Sequence, residues 1–170
     1  MPSGVLAVLD WCRYVITLQD PIMALNVYLS GEIHTDWRDQ ITEAARGLDV
    51  SFSGPVTDHA ASDDCGVRIL GAEPEKFWHD NKGASLNAIR TRNGIAAADI
   101  VVVRFGEKYK QWNAAFDAGY AAALGKSLII MHGPDHQHAL KEVDAAALAV
   151  TETPGQVVQI LRYVLEGTLP

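Results

Sequence analysis

Two uninterrupted apolar runs, Ile100-Val101-Val102-Val103 and Leu128-Ile129-Ile130-Met131, constrain this chain more than any other feature. A strand that is apolar on both faces must be covered on both faces, and parallel sheets flanked by helices meet that condition. Helical patterns lie around these runs. Trp112, Ala115, Phe116, Gly119, Tyr120 and Ala123 recur at helical spacing and read as an apolar stripe, with Gly125 where a left-handed cap belongs. Upstream, residues 24–31 read as a first strand. Thr35 and Asp36 are N-cap candidates, and Trp37, Ile41, Ala44, Ala45 and Leu48 follow as one helical stripe. Val50 to Ser53 reads as a second strand closed by Gly54-Pro55.

The polar stretch 56–83 reads as loops with a short helix near Cys65–Leu70, and Ser85 to Ala98 reads as a helix. Beyond the second apolar run come a histidine-bearing loop, a helix around Leu140–Ala147, a short strand near Leu148–Val150 and a last helix from about Pro154 to Glu166. Strands alternating with helices give an α/β fold, a doubly wound parallel sheet of about five strands in a flavodoxin/Rossmann-like three-layer sandwich. Residues 1–22 are weakly patterned and end in Asp20-Pro21, so they are set apart as an N-terminal arm ahead of a domain spanning 23–170. Ligands of such sheets bind beyond the carboxyl ends of the strands. Those ends are Ser30-Gly31-Glu32, Gly54-Pro55, Arg104-Phe105-Gly106 and His132-Gly133.

Charge and composition exclude several partners. A net charge of −7 lacks the positive field that nucleic-acid binding requires. No segment approaches the roughly 20 apolar residues of a membrane span. Val5 to Leu9 has no basic residue before it and is interrupted by Asp10, so no secretory leader is expected and a cytoplasmic location is. Cys12 and Cys65 lie in no disulfide or metal spacing.

Nucleotide fingerprints are missing. No GxGxxG follows a strand, and Gly119 to Ser127 has five residues between its glycines where a P-loop has four, in the order helix then strand. His132, His136 and His138 share a loop with Asp135 but lack a fourth ligand at a diagnostic spacing, so neither a metal nor a cofactor is expected.

A resemblance narrows the function. Val27-Tyr28-Leu29-Ser30-Gly31, Ala97-Ala98-Asp99-Ile100-Val101-Val102-Val103, and Asp117-Ala118-Gly119-Tyr120-Ala121 before Gly125-Lys126 resemble the nucleoside 2-deoxyribosyltransferase superfamily. Within it, Tyr28–His34, Trp37-Arg38 and Phe105–Asn113 are most similar to the YtoQ family, over residues 25 to about 166. The resemblance implies that Asp117 is the carboxylate attacking an anomeric carbon and Tyr28 its orienting partner; Glu32, directly after the first strand, is a candidate proton donor. The resemblance also implies a small-molecule nucleoside or nucleotide as the ligand, and a homo-oligomer with Tyr109, Trp112 and Tyr120 as contact candidates.

Gly31, His34, Gly54, Gly106 and Asn113 are candidate ligand-binding positions on the rim. The stretch Arg90-Thr91-Arg92-Asn93 carries no carboxylate, and Arg90, Arg92, Lys108 and Lys110 are cations suited to a phosphate. Two classes stand: an enzyme making or breaking an N-glycosidic bond, by transfer or hydrolysis, and a non-catalytic nucleotide-binding module of the same fold.

Overall fold

The computed structural model describes residues 24–108 and 112–169. The expected arm, residues 1–22, lies outside these, as do Tyr109, Lys110 and Gln111. The elements are β1 (Leu25–Gly31), α1 (Trp37–Ala44), β2 (Val50–Ser53), α2 (His59–Leu70), α3 (Lys76–Ala97), β3 (Ile100–Phe105), α4 (Trp112–Ala123), β4 (Ser127–His132), α5 (Gln137–Ala145), β5 (Ala149–Thr151) and α6 (Pro154–Glu166). The five strands form one parallel sheet in the order β2-β1-β3-β4-β5. This is the doubly wound α/β architecture that the apolar runs predict.

Strand alternation divides the core into two layers. Val27 and Leu29 of β1 and Ile100 and Val102 of β3 pack with Trp37 and Ile41 of α1 and Val157 and Leu161 of α6. Tyr28, Val101, Val103 and Phe105 face the other way, against Ile95 of α3, Ala114, Ala118 and Ala121 of α4 and Leu140 of α5. Ends are fixed by side chains as well as by packing. Thr153 and Gln156 form a capping box at the start of α6. Lys126 reaches the carbonyl oxygens of Ala96 (2.6 Å) and Ala98 (2.8 Å), and so terminates α3.

Two expectations from periodicity need correction. The face of α4 that meets the core is Ala114, Ala118 and Ala121, whereas Trp112 and Phe116 are 73% and 63% exposed. Small residues let α4 lie close against the sheet, so Trp112 and Phe116 point outward, while Ala115 and Tyr120 of the expected stripe are partly buried against the core.

The second correction concerns residues 56–83, which are largely helical. Asp58 caps α2 through the amide of Ala61 at 2.7 Å, and α3 begins at Lys76. These two helices meet backbone to backbone. A Cβ on Gly66 would lie 2.3 Å from the Gly83 amide nitrogen, and one on Gly83 would lie 2.6 Å from the Asp63 carbonyl oxygen. Ile69, Leu70, Phe77 and Trp78 are exposed. A helix pair that packs through glycines and leaves its large apolar residues outside has no stripe for a periodicity argument to find.

This contact fixes the sign of a substitution. In an isolated helix Gly→Ala gains up to ~1 kcal/mol. Gly83→Ala is expected instead to destabilise the protein by about 1–3 kcal/mol through overpacking, read by urea unfolding. Unchanged or increased stability would show that α2 and α3 are not in such close contact.

Candidate active site

In a parallel sheet a crevice opens where successive connections leave in opposite directions. Here that point lies between β1 and β3, because the chain passes from β1 to β2 on one side and returns to β3 on the other. Gly31 ends β1 with a φ of +97°, and a Cβ at that position would stand 2.1 Å from the Arg104 carbonyl oxygen. A side chain is excluded both by the backbone conformation and by the space. The amide of Glu32 then donates to the same carbonyl at 3.0 Å, so the pairing of β1 with β3 continues past the turn.

Arg38, in the first turn of α1, holds this turn in place. Its Nε donates to the carbonyl of Leu29 (2.9 Å), its Nη2 to Gly31 (3.1 Å) and its Nη1 to Glu32 (2.5 Å). The Trp37 indole also donates to the Glu32 carbonyl at 2.9 Å, and the guanidinium lies 4.4 Å from the Trp37 ring centroid. Burial lowers the Arg38 pKa to about 10, against the opposing pull of Glu32, so the group stays cationic at neutral pH. Gly54 sits beside this clamp, where a Cβ would lie 3.0 Å from the Leu29 carbonyl oxygen.

Glu32 has a side chain only 1% exposed. One oxygen accepts from the amide of His34, and the other accepts from Thr35 Oγ1 at 2.6 Å and lies 3.4 Å from Arg104 Nε. Its carboxylate is therefore committed to the rim around it, not presented to the crevice as an acid. His34 is exposed, with its ring 6.5 Å from that of His59.

The opposite wall carries Asp117. Tyr28 and Ser30 point to the α3/α4 side of β1, and Ser30 Oγ donates to Asp117 Oδ2 at 2.5 Å. Burial raises the Asp117 pKa above the ordinary carboxylate value, and the Ser30 hydrogen bond opposes that rise. The Tyr28 hydroxyl makes a long 3.5 Å contact to Thr91 Oγ1, so the group that orients Asp117 is Ser30 and not the expected Tyr28. The tyrosine ring lies against Gly94, where a Cβ would come within 2.3 Å of its Cε2. Burial also raises the Tyr28 pKa, which keeps the phenol protonated.

The remaining candidates are less tightly gathered. Gly106 is buried immediately after β3, Lys108 is exposed beyond it, and Asn113 is exposed at the start of α4. Arg90 and Arg92 are exposed on α3, and Arg90 is close enough to bias Tyr28 electrostatically. His132 ends β4, with Nε2 3.2 Å from the Asp144 carboxylate and Nδ1 2.7 Å from the Gly133 carbonyl. Ser30 and Arg104 were named by sequence only as parts of strand ends, and Thr91 and Arg38 only as parts of longer stretches, with no role given to any of them. For Ser30 a signal existed, because strand alternation puts it on the same face as Tyr28.

The arrangement is a half-buried carboxylate held by one hydroxyl, beside a strand end held by Arg38. Its electrostatic cost sets a prediction. Because the native pKa of Asp117 is raised, the stability gained from its protonated form is fully present below 3.8 and is lost as pH rises through the native value. Asp117→Asn, which removes the charge and can still accept from Ser30, is expected to melt above wild type at neutral pH. The gap should close on acidification towards 3.8. A variant that melts below wild type at neutral pH would show that the ionised carboxylate is stabilised where it lies.

The chain is similar to known proteins in sequence and in structure. A family model described as Nucleoside 2-deoxyribosyltransferase YtoQ matches residues 28–165. A Bacillus subtilis (strain 168) protein named "Uncharacterized protein YtoQ" is 42% identical over 146 residues, covering 85% of this chain and 99% of its own length. Among solved structures, a 2-deoxyribosyltransferase from the psychrotolerant Bacillus psychrosaccharolyticus aligns with a TM-score of 0.49 at 15% identity, over 78% of this chain and 90% of that one. The turn at Gly31, the Ser30–Asp117 pair and the clamp around Trp37 and Arg38 all lie within the matched span, and the chain belongs to the nucleoside 2-deoxyribosyltransferase YtoQ family.

Proposed function

We propose that this protein makes or breaks the N-glycosidic bond of a nucleoside or nucleotide, with Asp117 as the nucleophile. The observation that carries the reading is the half-buried Asp117 carboxylate at the switch point, fixed by Ser30 at 2.5 Å. Asp117 attacks the anomeric carbon and forms a glycosyl ester as the carbon–nitrogen bond breaks. The electron pair of that bond leaves with the base, which takes up a proton from water in the crevice. Water or a second base then attacks the ester, releases the sugar or a new nucleoside, and restores the carboxylate. Partial burial favours this chemistry because a poorly solvated carboxylate sheds less water on attack, and Ser30 fixes the direction from which it attacks.

Release of free base from a panel of nucleosides and nucleoside monophosphates, followed by chromatography, tests the proposal. Wild type is expected to turn over at least one member. Asp117→Asn should lose roughly a thousandfold or more of that rate, as removal of a nucleophile does. Ser30→Ala should lose about 10- to 100-fold, for one charge-assisted hydrogen bond of roughly 1.5–3 kcal/mol. Tyr28→Phe, which breaks only the long contact to Thr91, should lose less than about tenfold. Wild-type turnover by Asp117→Asn would remove the nucleophile assignment. Binding of nucleotides without any release of base would put a non-catalytic binding module in its place.

A further inference from the structure

Arg104 does nothing in the chemistry assigned to Asp117, yet its placement is difficult to explain by stability alone. It follows Ile100 and Val102 on the α1/α6 side of β3, where the strand interior is apolar throughout. Its side chain is 22% exposed at the carboxyl end of β3. Nε is buried and, among the described residues, has no hydrogen-bond acceptor. The approach to Glu32 Oε2 at 3.4 Å is an ion pair without hydrogen-bond geometry, and Glu32 already accepts from the His34 amide and the Thr35 hydroxyl. Arg38, a few residues from the same turn, shows the contrast: its Nε, Nη1 and Nη2 each meet a carbonyl oxygen. A buried guanidinium nitrogen left unmatched is costly, and a bound anion is one of the things that completes such a group.

Charge and position say what that would be. On this side Arg38 and Arg104 stand with Glu32 and Asp39, and Arg90 acts on Tyr28 on the other. Gly31 pairs with Arg104, and Ser30, the partner of Asp117, pairs with Val103. Ser30, with Asp117 bonded to it, and Arg104 thus lie on opposite faces of the sheet at neighbouring strand ends. A nucleotide has the matching layout, with its anomeric carbon and its phosphate on opposite sides of one sugar ring. The planar fork of arginine suits the oxygens of a phosphate.

We propose that Arg104 receives the phosphate of the substrate, so that this crevice takes a nucleoside monophosphate in preference to a free nucleoside. The inference rests on the N-glycosidic reading of Asp117 and names its substrate class.

The test is calorimetric titration of the full chain with a 2-deoxynucleoside and with its 5-monophosphate, base held constant. Wild type should bind the monophosphate about 10- to 100-fold more tightly, as one or two charge-assisted hydrogen bonds allow. Inorganic phosphate should compete with it. In Arg104→Gln the ratio of the two affinities should collapse towards one, and Arg104→Lys should retain part of it. Should Arg104→Gln fail to fold, the lysine variant and the phosphate competition still decide the matter. Equal wild-type affinities, a ratio that survives in Arg104→Gln, or equal weakening of both ligands would each overturn the assignment. If the free nucleoside binds and loses its base while phosphate adds nothing, Arg104 alone was misread. If neither compound binds, the N-glycosidic reading falls with it.

Discussion

The contact between Arg38 and the end of β1 is the constraint on which the rest of the site depends. A strand that turns sharply at its carboxyl end leaves carbonyl groups without ladder partners, and in a half-buried rim those groups must be satisfied. One planar side chain supplies three donors, to Leu29, Gly31 and Glu32. The turn at Gly31 is thereby held in a single conformation, with Glu32 directed to Thr35 and Arg104 on one side and Ser30 directed to Asp117 on the other. Arginine is suited to this task because its donors are fixed relative to one another. Trp37, fully buried in the α1/α6 layer, anchors the clamp to the core by stacking on the guanidinium and by donating to the Glu32 carbonyl.

From that fixed edge the site is assembled by the two layers separately. The α1/α6 layer contributes the arginines and the committed carboxylate of Glu32, and the α3/α4 layer contributes Asp117 and Tyr28. Neither layer can shift without disturbing the sheet between them, which is close-packed along β3 from Ile100 to Val103. The cost appears as the elevated pKa of Asp117, since a charge kept in a partly dry place weakens the fold that holds it. Sites that perform chemistry commonly carry such a local sacrifice of stability.

How much of this could be read from residue order depended on the physics behind each signal. The apolar runs of β3 and β4 and the cap at Gly125 are local patterns, and the sheet and the end of α4 follow from them. The helices α2 and α3 were poorly legible because their contact runs through Gly66 and Gly83, which leave no hydrophobic period. The outward-facing Trp112 and Phe116 misled for the opposite reason, since a helix stripe that looks apolar need not be the stripe that packs. In the candidate site, Asp117 and Tyr28 were expected from the resemblance alone. Ser30, Arg38 and Arg104 act through contacts between residues distant in the chain, or through backbone carbonyls that carry no sequence mark.

The central claim is that a sugar is held covalently on Asp117, and mass spectrometry of the trapped protein tests it most directly. A nucleoside bearing fluorine at the sugar 2-position slows breakdown of the ester, because the electron-withdrawing substituent disfavours the positive charge that develops at the anomeric carbon. After incubation and acid quench, the peptide containing Asp117 should gain the mass of one fluorinated glycosyl group, and the same peptide from Asp117→Asn should gain none. Base released with no adduct on that peptide, or an adduct carried by another residue, would contradict the claim.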